Sequence, residues 1–253
     1  MVVWAKVRKV GEQTFYHNYN ISQAVHGFRE MGAEIINYES VDGIYDYVTR
    51  DDIVLDYITQ CNEIFHKFNK EFKCIEDYPD VLKRFLGRDI WKDTINHINN
   101  NPDNLGIFVK PVKEKVFTGK VINSIADLVG CGSCSENYEV LCCKPLDIKR
   151  EWRGFIYYDK LIDLRPYTGD WHYNYDSKVI DNAIEAFNAW NGRPVACSLD
   201  FAVIVEDGKE KTIFLEANDA YALGCYGLDS ISYAKLISAR WSQILNRPDY
   251  FQF

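Results

Sequence analysis

Two apolar segments joined by an Asp-Gly dipeptide constrain the fold of this chain more than any other feature. Residues 197–205 read CSLDFAVIV, residues 212–219 read TIFLEAND, and Asp207-Gly208 stands between them. Such a dipeptide between two apolar runs is a strong signal for a β-hairpin. Because most side chains of both segments are apolar, we expect the two strands to be buried within a sheet.

Three polar residues interrupt this apolar hairpin. Asp200 lies within the first strand, while Glu216 and Asn218 lie two residues apart on the second and point to one face. We expect a loop centred on Gly208, and we favour five residues over three because three would set Glu206 opposite Glu210, which repel. Either length sets Asp200 directly opposite Glu216. Opposed side chains on one face have Cβ atoms about 4.5–5.5 Å apart. A loop of two or four residues would shift the pairing by one position.

Two carboxylates at that distance repel each other and are costly to bury, so something must compensate for their charge. A shared proton, which raises the pKa of one carboxyl group, is one option. A hard cation is the other, because Asp, Glu and Asn form an oxygen ligand set suited to magnesium or manganese. The register alone also allows an alternative without a binding site, in which Asp200 is an edge-strand residue and 216–219 is an exposed strand end.

A lysine-rich loop forms a second candidate site. Residues 106–120 read GIFVKPVKEKVFTGK, and Gly119 would let the backbone approach a phosphate closely. In a chain with a net charge of −8, the lysines of this loop predict a local positive pocket: Lys110, Lys113, Lys115 and Lys120. The alternative is a solvated loop, although a lysine at the end of an apolar strand should be partly buried. Neither a Walker-type phosphate loop nor the protein-kinase motifs occur in the sequence.

Composition argues against several classes of protein. With 37 acidic and 29 basic residues, the chain is a poor candidate for a nucleic-acid or membrane-surface binder. Its apolar runs fall far short of the roughly 20 residues that span a bilayer, and we expect no signal peptide at its start. Eight cysteines without a secretory signal predict reduced thiols in a cytoplasmic protein.

The cysteine spacing gives little support for a zinc site. Cys131 and Cys134 form a CxxC pair, which would need a second pair at suitable spacing. Cys142 and Cys143 are adjacent within a predicted strand, so their side chains would point to opposite faces. We therefore expect ordinary buried or loop thiols.

The pattern of elements predicts two domains. Residues 1–88 alternate strands with helices, which is typical of a small α/β domain. Residues 89–253 predict a mostly antiparallel α+β domain. The predicted helices lie at 21–32 (with Ser22 as N-cap), 52–68, 79–87, 89–100, 178–190 and 231–245. The strands predicted in the second domain lie at 105–110, 138–144, 151–158, 160–165, 197–205 and 211–217.

Taken in order along the chain, these motifs resemble the ATP-grasp family. That family has a strand ending in Lys-Pro, a Gly-containing loop, a hinge strand, an acid-plus-arginine strand, an aspartate strand and an E-x-N strand. The matching segments here are FVKPVKEKVFTG, YEVLCCKPLD, EWRGFI, SLDF and FLEAND. DYPDVLKRFLGR and the closing ALGCYG and ISYAKLISARW are similar to the clade named for one arginine and two lysines. The resemblance implies an ATP-grasp fold, in which two α+β subdomains clasp ATP, preceded by a small α/β domain.

The resemblance also implies which residues bind ATP. Lys110 and Lys115 would contact the phosphates. The adenine would lie against the hinge, where this chain has Cys142, Cys143 and Lys144, although many relatives carry an acidic residue on that strand. Glu151 would hold the ribose hydroxyls, and a surface glutamate without function is an equal alternative.

Five further residues would act on the transferring phosphate. The resemblance implies that Arg153 stabilises it, and that Arg165 helps to bind phosphate or substrate unless it forms an ordinary salt bridge. Asp200, Glu216 and Asn218 would hold one or two magnesium or manganese ions.

The implied activity is ATP-dependent ligation of a carboxylate to an amine through an acyl phosphate. The substrates would be small molecules or peptides, and the aromatic loop 166–178 is a candidate for contacting them. Three alternatives stay open: phosphoryl transfer by the same fold, a non-catalytic ATP-binding module, and an α/β interaction protein with coincidental motifs. The oligomeric state is also open.

Overall fold

The computed structural model describes residues 1–101, 105–112, 116–131 and 136–253. The chain divides into two compact units. The first unit comprises 1–85, 149–203 and 211–253, and the second unit comprises 86–148 and 204–210. The division into a domain at 1–88 and a domain at 89–253 stays a prediction.

The first unit begins with a sheet whose central strand is β1 (Val2–Val10). β1 pairs in parallel with β3 (Glu34–Tyr38) and β4 (Ile53–Leu55), and its C-terminal end pairs antiparallel with β2 (Gln13–Tyr16). Every second residue of β1 is buried from position 3 to position 7, which is the pattern of a strand with one covered face. The helices α1 (Tyr19–Glu30) and α2 (Ile58–Phe68) contribute their buried residues to the same core.

Two helix predictions in this region need correction. α1 begins at Tyr19 because Asn18, rather than Ser22, is its N-cap and accepts a 3.0 Å hydrogen bond from the amide of Ile21. The predicted helix at 52–68 is divided, since β4 occupies 53–55 and α2 begins at Ile58. All three residues of β4 are buried, and an apolar run buried on both faces has no periodicity that separates a strand from a helix.

The second sheet of the first unit comes from the C-terminal half of the chain. Its strands are β9 (Ile148–Tyr157), β10 (Lys160–Gly169), β11 (Ala196–Glu206) and β12 (Lys209–Asp219), in the order β10-β9-β11-β12. The helix α4 (Ser177–Asn188) buries side chains three and four residues apart, whereas α5 (Ser230–Ile244) is buried along most of its length. Since α1 packs on α5, residues from both ends of the chain share one core. The short helix predicted at 79–87 is a 3-10 helix at Asp80–Phe85.

The second unit contains its own antiparallel sheet and a small core. The strands β5 (Trp91–Thr94), β6 (Ile107–Pro111), β7 (Lys120–Ile122) and β8 (Glu139–Cys143) lie in the order β5-β8-β6-β7. The predicted helix at 89–100 is wrong for its first half, where β5 lies, and α3 (Ile95–Asn100) forms the second half. In the ranges that the structure describes, no helix is long and apolar enough to cross a membrane.

Candidate active site

The turn of the β11–β12 hairpin differs from the predicted loop. The strand bounds leave two residues, Asp207 and Gly208, whose φ angles are 50° and 75°. Two central residues with positive φ form the type I′ turn that joins tight hairpins, and Gly adopts this conformation without strain. The predicted loop of three or five residues is therefore wrong. A regular ladder from this turn would set Asp200 opposite Leu215 and turn Glu216 to the other face.

The side chains nevertheless meet on one face. The Nδ2 of Asn218 lies 3.2 Å from Oδ2 of Asp200 and 3.4 Å from Oε1 of Glu216. Side chains on opposite faces of a regular ladder would not make such contacts, so we infer that the pairing shifts by one residue between the turn and Asp200, as at a β-bulge. This irregularity restores the proximity that the predicted register required.

Asp200 forms a buried ion pair with Arg153 of the neighbouring strand β9. Nε of Arg153 donates to Oδ1 at 2.9 Å, and Nη2 donates to Oδ2 at 2.6 Å. Asp200 has no exposed surface, and Arg153 is 7% exposed. Burial raises the pKa of Asp200, Arg153 opposes that shift, the charge of Glu216 adds to it, and the net pKa is raised. We name the surface formed by Arg153, Asp200, Glu216 and Asn218 the acid face.

Two tyrosines surround the guanidinium of Arg153. The ring of Tyr226 lies 4.7 Å from it, the ring of Tyr167 lies 5.9 Å away, and the two rings are 5.0 Å apart. The hydroxyl of Tyr167 donates to Glu151 at 2.5 Å. Burial raises the pKa of Tyr167, and the charges of Asp200 and Glu151 raise it further, so Tyr167 remains a donor. Both tyrosines lie in segments that the sequence singled out, Tyr167 in the aromatic loop 166–178 and Tyr226 in the motif ALGCYG, but their contacts with Arg153 were not predicted.

Arg165 lies beside Arg153 on the edge strand β10. The two residues are directly paired in the β9–β10 register, so they share a face. Nε of Arg165 donates to Asp163 at 2.6 Å, and its side chain is 42% exposed. The salt bridge named as an alternative for Arg165 is therefore present, and a partly exposed arginine still has N–H groups for an anionic ligand.

The donor set of the acid face fits a magnesium ion. Two carboxylates converge on the amide nitrogen of Asn218, which lies where a cation would bind, and reversing that amide would present its oxygen. Magnesium needs few protein ligands because water and phosphate complete its octahedron. Across the described ranges, no cluster of three or more His, Cys, Asp or Glu side chains is placed to hold a metal ion. That finding gives no support to a zinc site, although Cys134 lies outside the described residues.

The second unit carries the residues predicted to bind ATP other than Glu151, which belongs to the first unit. Lys110 is half-buried at the end of β6 and pairs with Leu141 in the β6–β8 register. A Cβ on Gly119 would lie 2.6 Å from the ring of Phe108 and 3.4 Å from Cβ of Lys110, so glycine permits this close packing. Lys115, also predicted to contact phosphate, and Lys113, predicted to add to the positive charge of the loop, lie outside the described residues.

The hinge positions combine two buried thiols with an exposed lysine. Cys142 and Cys143 are buried on β8, and Lys144 follows them at the surface. Burial, with smaller effects of Asp93 and Cys143, raises the pKa of Cys142 to about 12. Burial also raises the pKa of Cys143, so both cysteines are neutral thiols at physiological pH.

A family model matches residues 85–236, more than half of the chain. It describes an ATP-grasp domain, family 2 of the clade named for one arginine and two lysines. The chain belongs to this family. The resemblance to the ATP-grasp family and to this clade is thereby confirmed. The matched range includes all three residues predicted to bind metal and both arginines of the site.

Solved structures show the same ATP-grasp fold. The chain is similar to N5-carboxyaminoimidazole synthase from Aspergillus clavatus in complex with ADP and 5-aminoimidazole ribonucleotide, with a TM-score of 0.55, 11% identity, and 98% and 77% of the two chains covered. It is similar to D-alanine–D-alanine ligase from Bacillus anthracis complexed with ATP, with a TM-score of 0.54, 13% identity, and 97% and 98% covered. No curated protein sequence matches the chain. The predicted α+β ATP-grasp fold is confirmed.

Proposed function

We propose that this ATP-grasp protein is an ADP-forming ligase that joins a carboxylate to an amine through an acyl phosphate. The acid face carries this proposal, because its two carboxylates, amide and buried arginine match the needs of phosphoryl transfer. Two of the similar structures support it: one is a D-alanine–D-alanine ligase with ATP, and another is a synthase with ADP. The substrates would be a small-molecule or peptide carboxylate and an amine.

We assign magnesium, or manganese, to Asp200, Glu216 and Asn218. When bound, the ion would neutralise negative charge on the ATP phosphates. Arg153, held in place by Asp200 and by the two tyrosine rings, would stabilise the oxygens of the moving phosphoryl group. Arg165 would bind the phosphate or the substrate carboxylate, since a guanidinium matches both.

The remaining assignments concern ATP itself. Lys110 and Lys115 would contact its phosphates, and Cys142, Cys143 and Lys144 would contact the adenine. Glu151 would accept hydrogen bonds from the ribose hydroxyls, with Tyr167 fixing the orientation of its carboxylate. The predicted cytoplasmic location stays a prediction.

The decisive experiment measures phosphate release from ATP with magnesium while carboxylates and amines are supplied in pairs. We expect ADP formation to depend on both substrates, and an amide product to appear by mass spectrometry. ADP formation that needs no amine would favour the alternative of a phosphoryl transferase, and a phosphorylated product would establish it. Failure to bind ATP with magnesium by calorimetry would contradict the whole proposal, whereas ATP binding without turnover would favour a non-catalytic module.

Variants of the acid face test the metal assignment separately. Glu216→Gln keeps the shape of the side chain but removes a charge, so we expect turnover to fall by about two orders of magnitude or more. Glu210→Gln is the matched control, because Glu210 lies exposed on the same strand. Turnover that survives both Glu216→Gln and Asp200→Asn would contradict the assignment of a metal site to these residues.

A further inference from the structure

The first unit contains a cleft of about 470 Å³ that the proposed function does not use. Residues on three segments line it: 73–76 with 79–81, the turn at 190–194, and Arg240 with Gln243 of α5. We name it the Arg240 cleft. Its volume lies within the range of small-molecule sites, roughly 300–1,000 Å³.

The Arg240 cleft and the acid face lie on opposite sides of β12. Successive residues of a strand point to opposite faces. Asn218 turns its amide toward Asp200, and the next residue, Asp219, accepts hydrogen bonds from Nε and Nη2 of Arg240 at 2.6 and 2.7 Å. The cleft is therefore separate from the surface that we assign to phosphoryl transfer.

Arg240 retains hydrogen-bonding capacity toward the cleft. A guanidinium has five N–H groups, of which Asp219 takes two and Oε1 of Gln243 takes one at 2.7 Å. Among the residues that the structure describes, no acceptor is found for the other two. Arg240 is only 7% exposed, so a ligand that reaches these groups would gain a hydrogen bond shielded from water.

Charges of both signs surround this arginine. Lys73 and Arg193 add positive charge, and Glu76 and Asp80 stand at the wall with negative charge. Asp80 is neutralised by Lys83 at 2.6 Å, which leaves Glu76 as the acid able to attract a cation. The remaining acid in the wall disfavours a dianion such as phosphate, whereas a molecule with one carboxylate and one ammonium group matches both signs.

An aromatic side chain provides the apolar part of the wall. A Cβ on Gly192 would lie 2.8 Å from the indole nitrogen of Trp190, so glycine lets the backbone pack against that ring. An indole next to charged groups suits a ligand with a small apolar side chain.

We propose that the Arg240 cleft binds a free amino acid. Its carboxylate contacts Arg240 and Lys73, its ammonium group lies toward Glu76, and its side chain lies against Trp190. This binding requires neither ATP nor magnesium, so it is measured independently of the proposed ligase activity.

Two variants of the cleft wall, each with a matched control, test the proposal. Lys73→Ala removes an exposed charge of the cleft, and Lys70→Ala removes an exposed lysine three residues away. Gln243→Glu keeps the oxygen that accepts from Arg240 and from the amide of Val195 but adds a charge that repels a carboxylate. Gln13→Glu makes the same change on the exposed strand β2. Arg240 itself is kept, because removing it would leave Asp219 buried without a cation.

The measurement is ligand-observed NMR titration of the protein without nucleotide. The probes are each common L-amino acid, acetate, methylammonium and inorganic phosphate. We expect at least one amino acid to bind about tenfold more tightly than acetate or phosphate, and both cleft variants to weaken it about tenfold while the controls do not. The proposal is overturned if no amino acid binds, or if phosphate binds as tightly. Binding that survives both cleft variants but is lost in Arg165→Ala also overturns it, since the ligand would then bind at Arg165, beside Arg153 of the acid face.

Discussion

Asp200 has two proposed cationic partners, the guanidinium of Arg153 and a magnesium ion. Both of its oxygens accept hydrogen bonds from Arg153, and a magnesium ion would need at least one of the same oxygens. The two demands are compatible because each carboxylate oxygen carries two lone pairs. Arg153 therefore serves a second purpose without a metal: it offsets the charge of a buried carboxylate that also lies close to Glu216. We infer that the ion pair keeps the acid face folded before ATP and metal bind.

This role predicts a loss of stability for Asp200→Asn. Asparagine leaves the buried guanidinium of Arg153 without its counter-charge, so we expect the free energy of unfolding to fall by about 3–5 kcal/mol. The measurement is urea unfolding without ATP and magnesium. Asp207→Asn is the control, since this exposed turn residue has a φ of 50°, which asparagine tolerates. A loss below about 1 kcal/mol would mean that the cost of burying Asp200 cancels the attraction of Arg153.

A second prediction at the residue scale concerns Cys142 and Cys143. Burial raises the pKa of both thiols, in Cys142 to about 12, so almost no thiolate forms near pH 8. We expect iodoacetamide to leave both unlabelled in the native protein and to label both in urea, as read by peptide mass spectrometry. Rapid native labelling would show that strand β8 opens on the time scale of the reaction.

The sequence located the charged residues of the site but not all of their contacts. Asp200, Glu216 and Asn218 stand out because polar side chains interrupt apolar strands. The pairing of Asp200 with Arg153 depends on which strand lies beside β11, and local pattern contains no information about such a non-local choice. The same is true of Tyr226, which reaches Arg153 from the segment between β12 and α5.

At the scale of elements, the sequence pattern predicted both strands of the β11–β12 hairpin but not the length of the loop that joins them. Alternation and the Asp-Gly turn located both strands, whereas the repulsion expected between Glu206 and Glu210 favoured a loop that is too long. The chain instead uses a two-residue turn, and the contacts of Asn218 with Asp200 and Glu216 indicate a register shift further along. Strand alternation and turn type do not predict such a shift.

The N-cap of α5 gives a prediction at the same scale. Oδ1 of Asp229 accepts from the amide of Ser232 at 2.9 Å, so Asp229→Ala should lower the free energy of unfolding by about 1 kcal/mol at neutral pH. Asp181→Ala is the matched control, because Asp181 lies exposed within α4 and caps nothing. Urea unfolding of both variants is the measurement, and equal effects of the two changes would contradict a capping role.

The pH dependence of this cap follows from the pKa of Asp229. Burial raises that pKa, but hydrogen bonds from Ser232 and Ile231 and the charge of Arg165 outweigh burial and leave it lowered. The contribution of the carboxylate is thus complete above the unfolded pKa of about 3.9 and is lost as the pH falls through the lower folded value. We expect the difference in the free energy of unfolding between wild type and Asp229→Ala to be the same at about pH 5 as at neutral pH.

For the whole molecule, the order of motifs predicted the ATP-grasp fold, whereas the periodicities predicted only the α+β class and the positions of its strands and helices. Strands and helices with strong patterns suggested a separate N-terminal domain, but no pattern shows that α1 packs on α5. That contact joins residues near the two ends of the chain, and it places 1–85 in one compact unit with 149–203 and 211–253. Long-range contacts of this kind require the three-dimensional structure.

Gly27 tests whether this first unit behaves as one body. A Cβ at Gly27 of α1 would lie 1.8 Å from the backbone oxygen of Ser230 and 2.9 Å from Cβ of Ala234 on α5, so alanine must push the two helices apart. We expect Gly27→Ala to cost about 1–3 kcal/mol and to accelerate hydrogen exchange in α1 and α5 together. Gly43→Ala is the control, since nothing lies within 4 Å of a Cβ there. If residues 1–88 instead unfold as an independent domain, exchange will accelerate in α1 and in its sheet while α5 keeps its protection.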